Sequence, residues 1–352
     1  MRVEAHLVDS YVDSRDLALF APELAAYDDQ YYFNGSFNGY VNDFALDNFR
    51  LHFGQRSFVY GDFRLIGLPE FFETFIDARI EHSNLSARDL SQYVGQEHYQ
   101  HISAVENMGY EGHFIGFPLD FVTNGVFRTP FGQVSSDINL KLPYKDTISS
   151  YSGRLQTTEF DLGGLLGDTL LYQRVSAQGM IQGYGFTTQT ADFVLQAEVS
   201  SLGILGYDYQ NITTDGRFTS RLFDGQLSIN DPNLQVVTTG LIDTQTGKDS
   251  IRLHIELIKA DLRELGFYDQ RALISSTIKI NLKGVELDTI EGYTDIVKTN
   301  ALIGPNALYV DSVRMVSKSA TTNVSSTFIP TCWSSTFLGI LITLNWCSAP
   351  CA

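Results

Sequence analysis

His98 and His101 stand three apart in "EHYQH", with Glu97 beside them. Imidazoles next to a carboxylate are the residue types that hold zinc or relay protons. A zinc-protease helix sets two histidines four apart with a glutamate between them, so that both rings reach one metal. Here the glutamate lies outside the pair and the spacing is short, so the reading is two exposed histidines and no metal site. "DLGGLLGD", residues 161 to 168, has the glycines of a phosphate loop. It lacks the G-x-G-x-x-G spacing, the lysine and the surrounding βαβ pattern that such a loop needs. Its glycines are expected to allow a tight bend or close strand packing. Cys332, Cys347 and Cys351 are the only cysteines, and one spaced pair without a second does not make a zinc site. Asn211-Ile212-Thr213 is formally a glycosylation acceptor and carries no further implication. The acidic residues are spread singly over polar positions, as on a solvated surface. No nucleophile, acid and base converge, so the chain is read as a non-enzyme with no catalytic residue, cofactor or metal.

Charge narrows the partners. The sequence has 24 Lys and Arg against 41 Asp and Glu, a net charge of −17. Binding to nucleic acid or anionic headgroups is dominated by Lys and Arg, and no polybasic run occurs, so nucleic acid is excluded. Hydrophobic content of 43% is enough for an ordered core. The opening "MRVEAHLVDS" is not the apolar leader of a secretory signal. The greasy run "FLGILITL", residues 337 to 344, is far short of the roughly 20 residues that span a bilayer.

The elements behind these residues are strands. Apolar and polar residues alternate almost throughout, the period of a half-buried strand. Phe44 and Leu46 share one side, and Phe49, Leu51 and Phe53 continue after Asp47-Asn48 shifts the parity as a bulge would. Phe63 and Leu65 follow, then Ile76 and Ile80 around Ala78. Phe114, Phe121, Ile138, Leu140 and Leu142 extend the series, as do Phe193, Leu195 and Val199 around Ala197. Leu227 and Ile229, then Ile251, Leu253, Ile255 and Leu257, and finally Ile278, Ile280 and Leu282 complete it. Sheets greasy on one face and polar on the other are antiparallel. Only "ARDLSQYV" (87–94) and "KADLRELG" (259–266) suggest helix, a turn or two each. The fold class is therefore all-β, an antiparallel sheet with very few short helices. For any one of the apolar residues, ordinary core between two sheets of a sandwich is the competing role.

No linker interrupts residues 1–317, which are read as one β segment. Residues 318–352 form an atypical tail holding every cysteine, both tryptophans (Trp333 and Trp346) and no acidic residue. A hydrophobic terminal strand, or a change of reading frame near Ser317, would account for it. There is also an internal echo. Gly35, Phe37, Gly39, Asp43 and Phe44 match Gly112, Phe114, Gly116, Asp120 and Phe121, and Gly54-Gln55 matches Gly132-Gln133. Such a period fits a stacked array built from hairpin groups.

Many strand-and-turn phrases also resemble a known family. "NDFALDNFRLHFG", "YGDFRLIGLPEFFETFIDARI" and "GHFIGFPLDFVTNGVFRTPFGQVSSDINLKL" are similar to the middle of TamB-like (translocation and assembly module) proteins of the Gram-negative envelope, relatives of the AsmA-like proteins. "YSGRLQTTEFDLGGLLGD", "YDYQNITTDGRFTSRLFDGQLSINDPNLQVVTTGLID" and "IELIKADLRELGF" continue the likeness, which spans residues 27 to 317. The family's N-terminal membrane helix and C-terminal domain have no counterpart here, and the tail fits neither, so the chain resembles an internal fragment. The resemblance implies an elongated, curled, taco-like sheet with a hydrophobic interior trough. It implies a periplasmic location within an inner-membrane-anchored protein, the anchor lying in the missing helix. A BamA/TamA-like outer-membrane barrel would be met through the missing C-terminal domain. The implied work is moving phospholipid toward the outer membrane, the apolar residues above lining a groove for acyl chains. At about 25 strands spaced roughly 4.8 Å, the trough would run about 120 Å. Two alternatives stay open: a scaffold for secretion and assembly of outer-membrane proteins such as autotransporters, whose open edges pair with client strands, or an outer-membrane β-barrel with girdles drawn from 18 Tyr and 24 Phe.

Overall fold

A computed structural model describes residues 2–18, 25–27, 29–92, 103, 105–142, 148–187, 189–245, 247, 249–284, 290–317 and 327–330. Glu97, His98, His101, the three cysteines, both tryptophans and the run 337–344 lie outside the described residues. The chain divides into two compact units, Met1–Ser220 and Arg221–Ala352. The division falls in a two-residue turn without the glycine or proline by which linkers are recognised.

The first unit is an antiparallel meander. Its strands are β1 (Val3–Asp13), β2 (Gln30–Tyr40), β3 (Asp43–Phe53), β4 (Ser57–Ile66), β5 (Phe75–Ser86), β6 (Asn107–Phe117), β7 (Asp120–Thr129), β8 (Gly132–Lys141), β9 (Ser150–Asp161), β10 (Tyr172–Tyr184), β11 (Asp192–Ile204) and β12 (Tyr207–Thr219). Each pairs with the next in chain order. The second unit continues the same plan with β13 (Leu222–Asn230), β14 (Leu234–Asp243), β15 (Ser250–Asp261), β16 (Ala272–Lys283), β17 (Glu291–Ile303), β18 (Asn306–Ser317) and the short β19 (Thr327–Pro330). A barrel joins its first strand to its last. Among the described residues no ladder joins β1 to β12, or β13 to β18, so neither run closes on itself. The fold is all-β, antiparallel and open, as expected. Among the described residues the strands number 19 against the expected 25, and apart from β19 each runs 9 to 13 residues.

The helices spanned by described residues alone are short: α1 (Ser14–Leu17), α2 (Ala87–Leu90) and α3 (Leu162–Leu166). Residues 262–266 form consecutive turns and no helix, with Gly266 at φ 78°; the segment is too short to propagate once nucleated. α3 is the "DLGGLLGD" stretch. Asp161 caps it by accepting from the Gly164 amide at 2.8 Å, and Gly167 at φ 72° ends it. A Cβ on Gly163 would come within 2.1 Å of the Tyr172 carbonyl oxygen. These glycines serve a bend and a close approach, as the sequence suggests.

The expected bulge is present. Pairing of β3 with β4 shifts between Leu46 and Phe49, and Asn48 adopts φ 50° while its amide donates to Asp62 Oδ1 at 2.8 Å. Asp9, Glu159 and Lys298 take the same left-handed backbone at register shifts in β1, β9 and β17. Each such bulge bends its strand and sharpens the local twist.

The internal echo is a structural repeat of four strands. Residues 35–44 and 112–121 are the same hairpin, β2–β3 and β6–β7. Gly39 stands opposite Phe44 and Gly116 opposite Phe121, with ring pairs Phe37–Phe44 and Phe114–Phe121 at 4.7 and 4.5 Å. A third copy occurs at β10–β11, where Gly179, Ile181 and Gly183 take the places of Gly35, Phe37 and Gly39. There Gly183 pairs with Phe193 directly after Asp192. One helical turn precedes each copy: α1 before β2, α2 before β6 and α3 before β10.

Candidate functional site

Residues directly opposite in neighbouring antiparallel strands project to the same face, and so do residues two apart along a strand. These two rules assemble the apolar positions into continuous rows across the first unit. One row runs Gly39, Phe44, Leu65, Ile76, Gly116, Phe121, Leu140, Tyr151, Gly183, Phe193 and Phe218. The next, two residues along, runs Ala5, Phe37, Leu46, Phe63, Ala78, Phe114, Thr123, Ile138, Gly153, Ile181, Leu195 and Gly216. Beyond the bulge, Phe49 pairs with Gly61 and Gly61 with Ile80, in a row of small residues that includes Gly112, Gly125 and Gly179. Leu51 with Phe33 and Val59, and Val199 with Ala177 and Ile212, form a further row. Phe53 lies two residues past Leu51. Leu142 lies two past Leu140, its amide bonded to the Leu119 carbonyl at 2.8 Å.

The second unit repeats the arrangement. Ile251 and Leu282 are opposite each other, as are Leu253 and Ile280, and Ile255 and Ile278. Leu227 joins the last pair through Thr238, and Ile229 reaches Leu257 through Val236. The sequence-derived groove residues therefore share one face in each unit.

None of these residues is fully buried; all are half-buried. The apolar residues that are buried among those described are few and scattered, such as Ala78, Ala260 and Ala272 at 2–3% exposure, with Tyr110, Phe160 and Ile212. Inner residues of a sandwich would be covered by the second sheet, and among the described residues substantial strand-to-strand contacts run between strands consecutive in the chain. Sequence reasoning missed Phe33, Phe37, Tyr151, Ile181 and Phe218 on the same rows. Parity would have found Phe33 and Phe37; the others sit beside glycine or threonine, which break the alternation.

The opposite face is mainly polar, although Ile115 and Val122 stand opposite each other there, partly exposed, and it carries the cross-strand pairs Arg64–Asp43, Arg128–Glu111, Lys141–Asp120, Arg217–Asp192 and Arg314–Asp295. Bidentate hydrogen bonds from Arg217 hold the Asp192 carboxyl below the usual range, and Arg314 does the same for Asp295. These exposed pairs select strand register more than they add stability. Among the described residues no cluster of His, Cys, Asp and Glu could hold a metal ion, and no helix is long and apolar enough to cross a membrane. The chemistry available on the apolar face is non-directional cover of hydrocarbon. No family model, curated protein or solved structure matches the chain.

Proposed function

We propose that the chain is a segment of a TamB-like envelope protein whose apolar sheet face shields phospholipid acyl chains as they pass between inner and outer membranes. The observation behind this reading is the set of largely apolar, mostly half-buried rows on one face of an open antiparallel sheet. Monomers normally expose apolar patches of no more than a few hundred Å², and rows that run across this many strands call for a cover. Acyl chains are a fitting cover, since each buried methylene contributes about 0.8 kcal/mol without demanding a fixed pose. Twelve strands at roughly 4.8 Å spacing give the first unit's face a width of about 50 Å, more than one lipid needs. The elongated trough, the periplasmic location, the inner-membrane anchor and the barrel partner belong to the same reading and rest on the resemblance of the strand phrases.

The test is chemical. The chain purified from a Gram-negative host is expected to carry phospholipid detectable by mass spectrometry. Placing charges at Leu253→Asp and Ile255→Asp is expected to deplete that lipid while the far-ultraviolet spectrum stays β-rich. Protein free of lipid, or lipid retained at the same stoichiometry in the variant, would end the proposal.

A further inference from the structure

The strand ends of the first unit share one device, and in one of them it is half empty. Asp13 pairs with Gln30 and Ser86 with Asn107, the same step along the chain as from Gly35 to Gly112. The Ser14 amide donates to the Asp29 carbonyl at 3.0 Å, and the Ala87 amide to the Glu106 carbonyl at 2.7 Å, at the same step again. Ser14-Arg15-Asp16-Leu17 of α1 therefore takes the place of Ala87-Arg88-Asp89-Leu90 of α2, and Asp16 that of Asp89. On the far side of β5 lies β4, and Asp89 holds the turn that leads into it by accepting from the amides of Gln55, Arg56 and Ser57. On the far side of β9 lies β8, and there the Asp161 amide donates to the Phe131 carbonyl of the β7–β8 turn at 2.8 Å. In the second unit the Asp261 amide, at the end of β15, makes the same bond at 2.8 Å to Asn233 in the β13–β14 turn. On the far side of β1 no described strand pairs, and Asp16 is exposed with no partner for its carboxylate among the described residues.

We propose that the outer edge of β1, with α1 at its end, is the docking site of a β-hairpin of the repeat's own kind, whose second strand adds antiparallel to β1 and whose turn amides are taken by the Asp16 carboxylate. Unpaired amides and carbonyls along an edge strand are a template for one more strand. β1 runs 11 residues without the lysine or proline by which edges commonly repel a neighbour. Its bulge at Asp9 does not protect it, since β9 carries the same bulge at Glu159 and is paired on both sides. Tyr11 stands where Asn84 does in β5, and Asn84 faces Phe58 of β4. A hairpin of this kind therefore sets a ring against Tyr11, which is 68% exposed without it. Bonds from turn amides to a carboxylate are charge-assisted, and they are made only when the turn lies level with α1, so Asp16 selects register as well as partner. None of this depends on what covers the apolar face.

The probe is a fluorescent synthetic peptide of residues 43–66, the hairpin whose turn Asp89 holds, titrated into the whole chain. Saturable binding is expected by anisotropy, with amide exchange in β1 slowed about tenfold or more and exchange in β9 unchanged. Asp16→Ala is expected to weaken binding about tenfold or more, and Asp16→Asn by less. Because Asp16 is exposed, neither variant should shift the urea midpoint of the chain by itself, in contrast to replacement of Asp89. Should the free peptide aggregate, the same hairpin is joined ahead of Met1 through a flexible Gly/Ser linker. Slowed exchange in β1, lost again on Asp16→Ala, is then the readout. Absence of saturable binding, equal binding of the same composition in scrambled order, or affinity and β1 exchange both indifferent to Asp16→Ala would overturn the proposal. Sedimentation showing the chain paired with a second copy, its β1 amides protected before peptide is added, would overturn it too and make that copy the occupant.

Discussion

Gly116→Val is expected to break the β6–β7 hairpin, lowering stability by about 3 kcal/mol or more. Gly116 has φ 141°, a region closed to side chains, and an added Cβ would stand 2.4 Å from the Asp120 carbonyl oxygen and 2.7 Å from Phe121 Cα. Both obstacles are backbone, so no rotamer change relieves them. Gly39 and Gly183 meet the same atoms of Asp43-Phe44 and Asp192-Phe193 at 2.4 to 2.7 Å. The three positions therefore share one constraint. Gly167→Ala is the control: its φ of 72° is also left-handed, but nothing lies within 4 Å of the new Cβ. It should cost only the backbone preference, about 1–2 kcal/mol. Urea denaturation of the two variants gives the comparison, and equal losses would show that crowding against the partner strand is not what selects glycine.

Asp89→Ala is expected to be nearly as damaging, at roughly 2–4 kcal/mol. Asp89 is 7% exposed and sits in α2, at the end of β5, where it closes the turn between β3 and β4. Its carboxylate accepts from the amides of Gln55, Arg56 and Ser57 at 3.0, 2.8 and 2.9 Å and from the Ser57 hydroxyl at 2.9 Å. Removing it strands four donors at once. Asp89→Asn should recover part of the loss, because only one of its two terminal atoms still accepts. Burial pushes the carboxyl pKa up, and the four hydrogen bonds together outweigh it, leaving the pKa below the ordinary value. A carboxyl depressed on folding adds stability that is complete above its unfolded pKa, about 3.9, and is lost as pH falls through the folded value. Acid titration of stability should therefore fall more steeply below about pH 4 in the native chain than in Asp89→Asn. Hydrogen exchange at Gln55, Arg56 and Ser57 supplies the local readout. Unchanged protection there in Asp89→Ala would show that the turn holds without its latch.

Particular residues show how far the sequence is legible. The parity slip at Asp47-Asn48 announces a bulge because a two-residue side-chain period tolerates no hidden insertion. The recurrence of Gly35-Phe37-Gly39 at Gly112-Phe114-Gly116 announces a repeat, since both hairpins keep a two-residue loop and hence a constant offset. The third copy escaped because residues 185–191 lengthen its loop and Ile181 replaces the phenylalanine, although the Gly183–Phe193 pairing is preserved. Of the helix expected at 259–266, residues 259–261 end β15 and residues 262–266 form turns, for want of length. That Tyr11, Tyr32, His52 and Phe58 stand opposite one another across β1 to β4 is not written in the sequence, because residues far apart in the chain become neighbours only through register.

The sequence by itself determined that the chain is all-β, antiparallel and one-sided, because alternation is written residue by residue and the pleat reads it locally. Only the tertiary structure decided that the apolar positions fuse into rows, that among the described residues neither run closes on itself, and that Asp89 holds a turn more than thirty residues away. Those outcomes depend on which strand lies beside which and in what register. Local alternation leaves that choice open, and the hydrogen-bonded ladders make it.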